Sequence, residues 1–415
     1  MVNKFHYLRG GAEHYAFDLA ELLNQFGIDT TWFAMDDARN LPAESDRFFA
    51  SNVDFEHPSG IGKVRAAGRM LYSVSARRGI SALLDDHPVD VAHVHNVYHQ
   101  LSPSVFGSLR RRGIPVVMTV HDYKLVCPVY NLMSNGRICD RCIDGGLRNV
   151  VRQRCNRGSL TASVLVGAES WAHRRAGLYT RGVDLFITPS RFARDALVRA
   201  GYPADRIRVL PNFVDTDRWA PSAERGGYVA YAGRLSHEKG PDVLIRALAG
   251  TSLRGVVIGE GPERESLERL AGELGVDVAF LGLQPKPRVR ELLAAAAAVV
   301  IPSRCVENCP LTAIEAMALG RPVVGSRVGG LPDLVEHGDQ GLLVDPDEPE
   351  ALRGALLRLD ADPDLGEMMG RRGRARAVDR HSAPAHLDAV LGMYAEASAR
   401  TRRTPPPARM AEATP

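Results

Sequence analysis

Two glutamates, eight positions apart, flank a predicted strand-to-helix junction in the second half of the chain. Glu307 lies in the loop after the predicted strand 299–302, and Glu315 lies about one and a half turns into a helix expected to begin near Pro310. One carboxylate could accept hydrogen bonds from two ribose hydroxyls, and the other from hydroxyls of a sugar. For either glutamate alone a structural interpretation stays open: Glu307 could complement the helix dipole, and Glu315 could be a surface residue.

The start of this predicted helix is a candidate anion site. The first N–H groups of a helix have no partner within it, and the helix dipole favours a phosphate at that end. These free groups are expected around Asn308, Cys309, Pro310 and Leu311.

Two cations follow another predicted strand. Arg234 and Lys239 come directly after residues 228–232. Because open parallel sheets bind ligands at the carboxyl ends of their strands, both side chains could reach one diphosphate. Taken alone, the pair is more simply two solvated surface cations. The Gly-Glu-Gly-Pro run at 259–262 would let a nucleotide approach the backbone, although such a run also serves as an ordinary turn.

Four of the six cysteines lie close together in the sequence. They follow the spacing C-x11-C-x2-C-x12-C, and its C-x2-C step is typical of a zinc knuckle. In a reducing compartment such a cluster favours a metal over disulfide bonds. We therefore predict a structural zinc, with a labile disulfide or unligated thiols as alternatives. The predicted ligands are Cys127, Cys139, Cys142 and Cys155.

The composition is that of a soluble globular protein. The 415 residues are 45% hydrophobic and 24% charged, which excludes a disordered, collagen-like or coiled-coil chain. A formal net charge of +3 gives no indication of a nucleic-acid partner. The longest wholly apolar run, 292–301, falls short of the roughly 20 residues of a membrane span. Since the N-terminus also lacks the apolar segment of a secretory signal, we expect a cytoplasmic protein.

Short β-branched segments alternate with amphipathic helical ones, which predicts an α/β protein with parallel sheets covered by helices on both faces. In the first half, strands are predicted at 28–33, 89–95, 115–120 and 185–188, and helices at 13–25 and 191–200. In the second half, strands are predicted at 228–232, 255–258, 278–281, 299–302 and 322–325, and helices at 240–249, 263–274, 288–298 and 310–319.

This alternation divides the chain into two Rossmann-like domains. The turn-rich segment 211–227 has no clear period and is interpreted as a linker. The predicted order is an N-terminal domain (1–210) with a cysteine insert (127–155), the linker, a C-terminal domain (228–380), a helix (381–400) and a disordered tail (401–415). Only residues 1–5 are available for a strand before Gly10. That strand is either very short or the true start lies upstream, and we prefer the second interpretation.

The spacing of Glu307 and Glu315 resembles the E-x7-E motif of the family-4 retaining, nucleotide-sugar-dependent glycosyltransferases. Each further similarity is weak alone, but together they follow the family's order over most of the chain. The resemblance implies the GT-B fold, in which two Rossmann-like domains face each other across a cleft. It also implies that the domain 1–210 binds the acceptor and the domain 228–380 binds the nucleotide sugar. The other matching segments are Gly10-Gly11-Ala12-Glu13, His121-Asp122, Thr188-Pro189-Ser190, Pro211-Asn212, and Gly233-Arg234 through Lys239-Gly240.

The resemblance also implies roles for the donor-binding residues. Arg234 and Lys239 would bind the diphosphate, and Glu315 the ribose. Glu307 and the N–H groups after it would hold the transferred sugar. The loop carries Val306-Glu307-Asn308-Cys309 where many relatives have a Gly-Phe type pair, so the choice of donor does not carry over.

Two further positions acquire a role only through the resemblance. His121 would face the transferred sugar across the cleft, whereas a lone histidine beside an apolar strand would otherwise be interpreted as structural. Gly10 and Gly11 would let the N-terminal loop close over the donor phosphates.

The resemblance implies a retaining transfer without a catalytic cofactor. The leaving diphosphate would act as the base for attack on the same face of the sugar, so catalysis would depend on stabilising that diphosphate. We expect a hexosyl group to move from a UDP- or GDP-sugar to a carbohydrate or lipid-linked acceptor, as in cell-surface polysaccharide synthesis. Alternatives are transfer to a small natural product and a nucleotide-sugar 2-epimerase, against which the paired glutamates argue. A nucleic-acid-binding zinc-knuckle protein is disfavoured by the near-zero net charge.

Several clusters of arginines and lysines occur in the first half of the chain. Residues 61–78 could form a basic amphipathic helix that docks on anionic lipid, although a solvated surface explains them equally well. A peripheral position at the inner face of a membrane is therefore a second expectation for location.

Overall fold

The computed structural model describes residues 1–53, 67–222 and 226–403. The strands of the first domain are β1 (Ala92–Val94), β2 (Val116–Thr119), β3 (Met133–Ser134), β4 (Arg137–Ile138), β5 (Leu185–Thr188) and β6 (Ile207–Val209). Four of them form a parallel sheet in the order β1-β2-β5-β6, while β3 and β4 form a separate antiparallel hairpin. The strands β1, β2 and β5 are buried throughout, and their residues are apolar except for His93, Thr119 and Thr188, as is typical of a helix-covered parallel sheet.

Val2 takes the place of a further strand beside β1. It forms isolated parallel bridges with Phe33 and with Val94, and backbone hydrogen bonds of Met1, Asn3 and Lys4 also tie the chain before the glycine loop to its two neighbours. The prediction of a continuous strand over 28–33 is wrong, because within that range only Phe33 forms a bridge.

The helices of the first domain are α1 (Gly11–Gln25), α2 (Val74–Asp86), α3 (Ser104–Arg111), α4 (Arg141–Asp144), α5 (Arg148–Arg152), α6 (Leu160–Arg175), α7 (Leu178–Gly182) and α8 (Arg191–Arg199). Of the helix predicted over 61–78, residues 61–66 lie outside the described residues. The remainder is not one helix, because Tyr72 and Ser73 are not helical and Ser73 caps α2 by accepting a hydrogen bond from the Ala76 N–H at 3.2 Å.

The second domain follows the predicted alternation closely. Its strands are β7 (Tyr228–Ala232), β8 (Arg254–Ile258), β9 (Val278–Gly282), β10 (Ala298–Ile301), β11 (Val323–Ser326) and β12 (Gly341–Val344). They form one parallel sheet in the order β12-β11-β10-β7-β8-β9. The helices are α9 (Pro241–Leu248), α10 (Arg264–Leu274), α11 (Lys286–Ala295), α12 (Leu311–Ala318), α13 (Leu331–Leu334) and α14 (Pro349–Ala361). The prediction of an α/β protein with two parallel sheets is confirmed, and the strand β12 was not predicted.

Two C-terminal helices return the chain to the first domain. These are α15 (Pro363–His381) and α16 (Ala383–Arg403), separated at Ser382, which pairs with Val214 of the linker. Leu387 and Val390 of α16 are buried in one cluster with Tyr15 and Leu185 of the first domain. The helix therefore extends past residue 400, where the disordered tail was predicted to begin, and residues 404–415 lie outside the described residues. None of the helices in the described ranges combines the length and the apolar content that crossing a membrane needs.

Candidate active site

Lys239 and Glu307 meet where two neighbouring strands end. β7 and β10 are paired in parallel, so the loops that follow them lie side by side. Lys239 Nζ lies 2.7 Å from Glu307 Oε1, and the Ser303 hydroxyl donates to the same oxygen at 2.5 Å. Burial, the largest single effect, would lower the pKa of Lys239, but Glu307, Cys305 and Glu238 acting together raise it. Two of the predicted donor-binding residues are thus brought together as an ion pair.

A pair of glycines that the sequence analysis missed supports the Glu307 loop. Gly329 has φ +60°, and a Cβ there would lie 2.2 Å from the Glu307 carbonyl oxygen. A Cβ on Gly330 would lie 1.9 Å from the Asn308 carbonyl oxygen, and the Gly330 N–H donates to the Glu307 carbonyl at 2.7 Å. Only residues without side chains allow this approach. The available signal was two adjacent glycines between β11 and α13.

The first domain and the linker also hold this loop. The Asn308 side chain accepts a hydrogen bond from Ser190 Oγ and donates one to the Val120 carbonyl, both at 2.9 Å. Asn212 Nδ2 donates to the Cys309 carbonyl at 2.9 Å. The side chain of Asn308 and the carbonyl of Cys309 therefore position the loop. Their backbone N–H groups remain available to bind the sugar donor.

The start of α12 supplies free N–H groups beside Glu307. The helix begins at Leu311, one residue later than predicted, because the ψ of Pro310 is 117°, outside the helical range, and Pro310 is therefore the N-cap. Within the described part of the chain, the backbone N–H groups of Asn308, Cys309 and Leu311 donate to no protein acceptor. Such an end favours a phosphate or another anion.

The glycine loop lies opposite this helix start. A Cβ placed on Gly11 would lie 4.0 Å from Leu311 Cδ1, so the first turn of α1 approaches the first turn of α12 across the two domains. Gly10 is the N-cap of α1 with an extended backbone, φ −164°. Extended backbone is open to any residue, so Gly10 is not required here for a left-handed conformation.

His121 follows β2 and is held by other aromatic rings. Its Nε2 lies 2.9 Å from His95 Nδ1, and its ring meets Tyr15 edge-on with centroids 5.1 Å apart. Burial lowers the pKa of His121 to about 3. The imidazole is therefore neutral near pH 7, and because Nε2 is bonded to His95, Nδ1 is the nitrogen left for a ligand. The Val120 carbonyl, next to His121, accepts the bond from Asn308 and brings this histidine close to the Glu307 loop.

Glu315 lies in α12 beside an ion pair that joins the domains. Lys286 Nζ lies 3.3 Å from Asp18 Oδ2 of α1. Burial raises the pKa of Glu315 to about 7, while Lys286 opposes this shift and Asp18 adds to it. The Glu315 carboxyl therefore titrates near neutral pH in this state.

The structure places the other predicted donor residues differently. Arg234 is exposed after β7 and is not in contact with the Lys239–Glu307 pair in any described interaction. A Cβ on Gly259 would lie 2.0 Å from the Gly233 carbonyl oxygen, and one on Gly261 would lie 2.1 Å from the Leu235 carbonyl oxygen. These two glycines are therefore needed where two strand-end loops of the protein approach each other, as in the ordinary turn considered above. Approach of a nucleotide to this run stays a prediction.

The four clustered cysteines are free thiols near one another. The pKa of Cys142 is raised to about 12, chiefly by burial and then by the thiols of Cys127, Cys155 and Cys139. Among the residues that the structure describes, however, no group of three or more His, Cys, Asp or Glu side chains could hold a metal ion. The structural zinc stays a prediction that rests on the cysteine spacing.

Comparison with known proteins identifies the family. The model for glycosyltransferase family 4 matches residues 9–218, and the model for glycosyl transferases group 1 matches residues 214–376. A D-inositol 3-phosphate glycosyltransferase of Acidothermus cellulolyticus is 30% identical, covering 97% of this chain and 89% of the relative. An alpha-D-kanosaminyltransferase of Streptomyces kanamyceticus is 33% identical over 54% of this chain and 63% of the relative.

Two solved structures share the fold. A sucrose-phosphate synthase from Thermosynechococcus elongatus matches with a TM-score of 0.69, at 23% identity over 96% of each chain. Anabaena HepE in complex with UDP matches with a TM-score of 0.66, at 20% identity over 95% of this chain and 98% of that one. Together with the two family matches, which span nearly the whole chain, these similarities show that the protein belongs to the family-4 glycosyltransferases and has the GT-B fold.

Proposed function

We propose that this glycosyltransferase moves a hexosyl group from a UDP- or GDP-sugar to an acceptor bound by the first domain, with retention of anomeric configuration. The observation that carries the proposal is the Lys239–Glu307 pair at 2.7 Å, beside the unpaired N–H groups at the start of α12. One cation, one carboxylate and a helix start in contact provide separate partners for a diphosphate and for sugar hydroxyls.

The donor would bind across this strand edge. Lys239 would exchange its contact with Glu307 for the diphosphate, and exposed Arg234 would turn toward the same group. Glu307, released from Lys239, would accept hydroxyls of the transferred sugar, and Glu315 those of the ribose. Gly10 and Gly11 would allow the glycine loop to approach the phosphates, since the Gly11 position already lies against Leu311.

The transfer would need no protein base. The bond between the anomeric carbon and the diphosphate oxygen breaks, a bond to the acceptor oxygen forms on the same face, and the acceptor proton goes to the departing phosphate. Lys239 and the N–H groups of the α12 start stabilise the charge on that phosphate. His121 is neutral, so its part is to hydrogen-bond a sugar hydroxyl and not to supply a proton.

The acceptor is a hydroxyl compound held by the first domain: a carbohydrate, a lipid-linked sugar or a small molecule. The relatives' names include an inositol 3-phosphate transferase, a kanosaminyltransferase and a GDP-mannose-dependent phosphatidylinositol monomannoside mannosyltransferase. These names define a first panel of inositol phosphate, aminocyclitol and glycolipid acceptors.

A donor screen tests the proposal. Release of nucleoside diphosphate would be measured for UDP- and GDP-hexoses, with and without each acceptor, and the product anomer would be assigned by NMR. We expect one donor to be used with retention. Formation of an epimer of the donor sugar without acceptor, or transfer with inversion, would contradict the proposal.

Arg234→Ala tests the diphosphate assignment. Loss of a charge-assisted contact of about 1.5–3 kcal/mol should weaken nucleoside diphosphate binding roughly 10- to 100-fold by calorimetry. Arg254→Ala is the matched control, because Arg254 is an exposed arginine of the same domain whose ion pair with Asp277 lies at the start of β8. Unchanged affinity in Arg234→Ala would remove Arg234 from the site.

A further inference from the structure

One helix of the first domain leaves a row of apolar side chains uncovered. On α6, Leu160 is 49% exposed, Val164 47% and Trp171 62%, and Ala168 between them is also exposed. Steps of three and four residues place these side chains on one face of the helix. We define this row, Leu160, Val164, Ala168 and Trp171, as the α6 stripe.

The opposite face of α6 is anchored in the protein, so the stripe is not a consequence of poor packing. Glu169 is buried and pairs with buried Lys124 at 2.8 Å. His173 Nε2 lies 3.0 Å from the Leu71 carbonyl oxygen, and Val166 is buried in a cluster with Met70. Exposure is therefore confined to the outward face of a fixed helix.

The surroundings of the stripe are strongly basic. Residues 145–183 contain seven arginines and one acidic residue, Glu169, whose charge is already matched by Lys124. The exposed arginines include Arg157 before the stripe and Arg175 after it, and the others are Arg148, Arg152, Arg154 and Arg181.

We propose that the α6 stripe and its arginines bind the surface of a membrane that contains anionic phospholipid. Leucine, valine and an exposed tryptophan suit the boundary between headgroups and acyl chains, and arginines attract anionic headgroups. A second copy of this chain fits the surface less well, because two such arginine-rich faces would repel each other.

The surface lies on the domain that would bind the acceptor. Lys124, which anchors α6 through Glu169, is three residues after His121. A bilayer bound to α6 would therefore lie on the domain that carries His121 and would suit a lipid-linked acceptor. That consequence rests on the proposed function, whereas lipid binding itself does not.

Vesicle binding by the purified full chain tests the proposal without donor or acceptor. We expect co-sedimentation with phosphatidylcholine vesicles that contain phosphatidylglycerol, weakened by salt, and little with phosphatidylcholine alone. Trp32 and Trp219 are buried, so a blue shift of tryptophan emission on binding would report Trp171. Val164→Glu should weaken binding at least about tenfold, and Arg157→Glu with Arg175→Glu should do the same.

Leu283→Glu is the matched control, because Leu283 lies in the second domain and is 77% exposed. This variant should bind vesicles as the wild type does. The proposal is overturned if the wild-type chain does not bind anionic vesicles, or if Val164→Glu binds them as well as the wild type. A dimer in sedimentation velocity that Val164→Glu dissociates would assign the stripe to a second copy instead. Donor turnover in the absence of vesicles is a separate measurement, so failure of lipid binding is distinguishable from failure of the proposed function.

Discussion

Glu315 combines a proposed ribose-binding role with a carboxyl group that titrates near neutral pH. Its pKa is raised to about 7, mainly by burial. The carboxylate accepts ribose hydroxyls through both oxygens and more strongly than the protonated carboxyl does, so donor binding should strengthen as the pH rises through 7. If the protonated form does not bind, nucleoside diphosphate should bind roughly tenfold more tightly at pH 8 than at pH 6. Calorimetry across this range measures the effect.

Glu315→Gln separates this carboxyl from other titrating groups, including the phosphates of the ligand. The variant should bind more weakly at pH 8 and should lose the part of the pH dependence due to residue 315. An identical pH profile in the variant and the wild type would mean that Glu315 is not the group whose ionisation controls binding.

Residue types and spacing predicted the paired glutamates and the nearby cations but not their charge states. The contact of Lys239 with Glu307 follows from the pairing of β7 with β10, which brings residues 68 positions apart together. The low pKa of His121 and the raised pKa of Glu315 both come mainly from burial. Burial depends on the closed packing of two domains, and no local pattern in the sequence encodes it.

At the scale of elements, the Gly329-Gly330 turn fixes where the Glu307 loop lies. In Gly330→Ala the new Cβ would lie 1.9 Å from the Asn308 carbonyl oxygen and 2.6 Å from Ser190 Cβ, so the loop must move. Overpacking of this kind costs about 1–3 kcal/mol of folding stability. We expect a matching loss of stability in urea unfolding and at least tenfold weaker binding of nucleoside diphosphate.

Gly354→Ala is the control for a glycine-to-alanine change in the same domain. Gly354 lies within α14, and a Cβ there meets nothing within 4 Å. Alanine in a helix should stabilise the protein by about 0.5–1 kcal/mol and leave donor binding unchanged. Normal donor binding in Gly330→Ala would show that the loop tolerates displacement, contrary to the role given to this turn.

The cysteine insert is a second element whose organisation can be tested. The C-x11-C-x2-C-x12-C spacing predicts about one zinc per chain, bound as thiolates. Elemental analysis of protein purified without a histidine tag measures this, and Cys139→Ser with Cys142→Ser should remove the metal and increase cleavage of the insert by protease. Much less than one zinc, with all four thiols titrating, would support the alternative of free thiols.

The elements themselves were predicted unevenly. In the second domain, short strands alternate with amphipathic helices, and the five predicted strands lie within one or two residues of β7 to β11. In the first domain, β6 and α6 were missed and residues 28–33 were assigned to a strand that pairs only at Phe33. There the pattern is set by tertiary neighbours: α6 buries a charged residue, Glu169, and exposes an apolar stripe, which inverts the ordinary helical pattern.

At the scale of the whole molecule, the return of α16 to the first domain places histidines in a shared core. His386 Nε2 lies 2.9 Å from the Tyr15 hydroxyl, and the Tyr394 hydroxyl lies 2.7 Å from His93 Nδ1. The ring of His93 stacks on that of His95, which bonds to His121. Packing of the C-terminal helix is thus continuous with the histidine at the candidate site.

These histidines should make the folded state sensitive to acid. Burial lowers the pKa of His386 and of His121 to about 3, and those of His93 and His95 well below their usual value. In the unfolded chain each would titrate near 6.5, so below that pH the unfolded state takes up protons that the folded state does not. The free energy of unfolding should therefore be highest above pH 6.5 and should fall steadily as the pH is lowered from 6.5 toward 4.

Replacing one of these histidines gives the quantitative test. In His386→Asn the loss of the Tyr15 contact should lower stability at pH 7.5, but the fall with decreasing pH should be shallower by about 1.4 kcal/mol per pH unit. Urea unfolding at several pH values between 7.5 and 5 measures both effects, and exposed His237→Asn is the control that should keep the wild-type slope. If the free energy of unfolding depends on pH equally in His386→Asn and in the wild type, His386 accepts a proton in the folded protein. The α16 interface would then open before the rest of the chain unfolds. If the free energy of unfolding depends less steeply on pH in His386→Asn, but not in His237→Asn, then α16 docks and the first domain folds in one cooperative event.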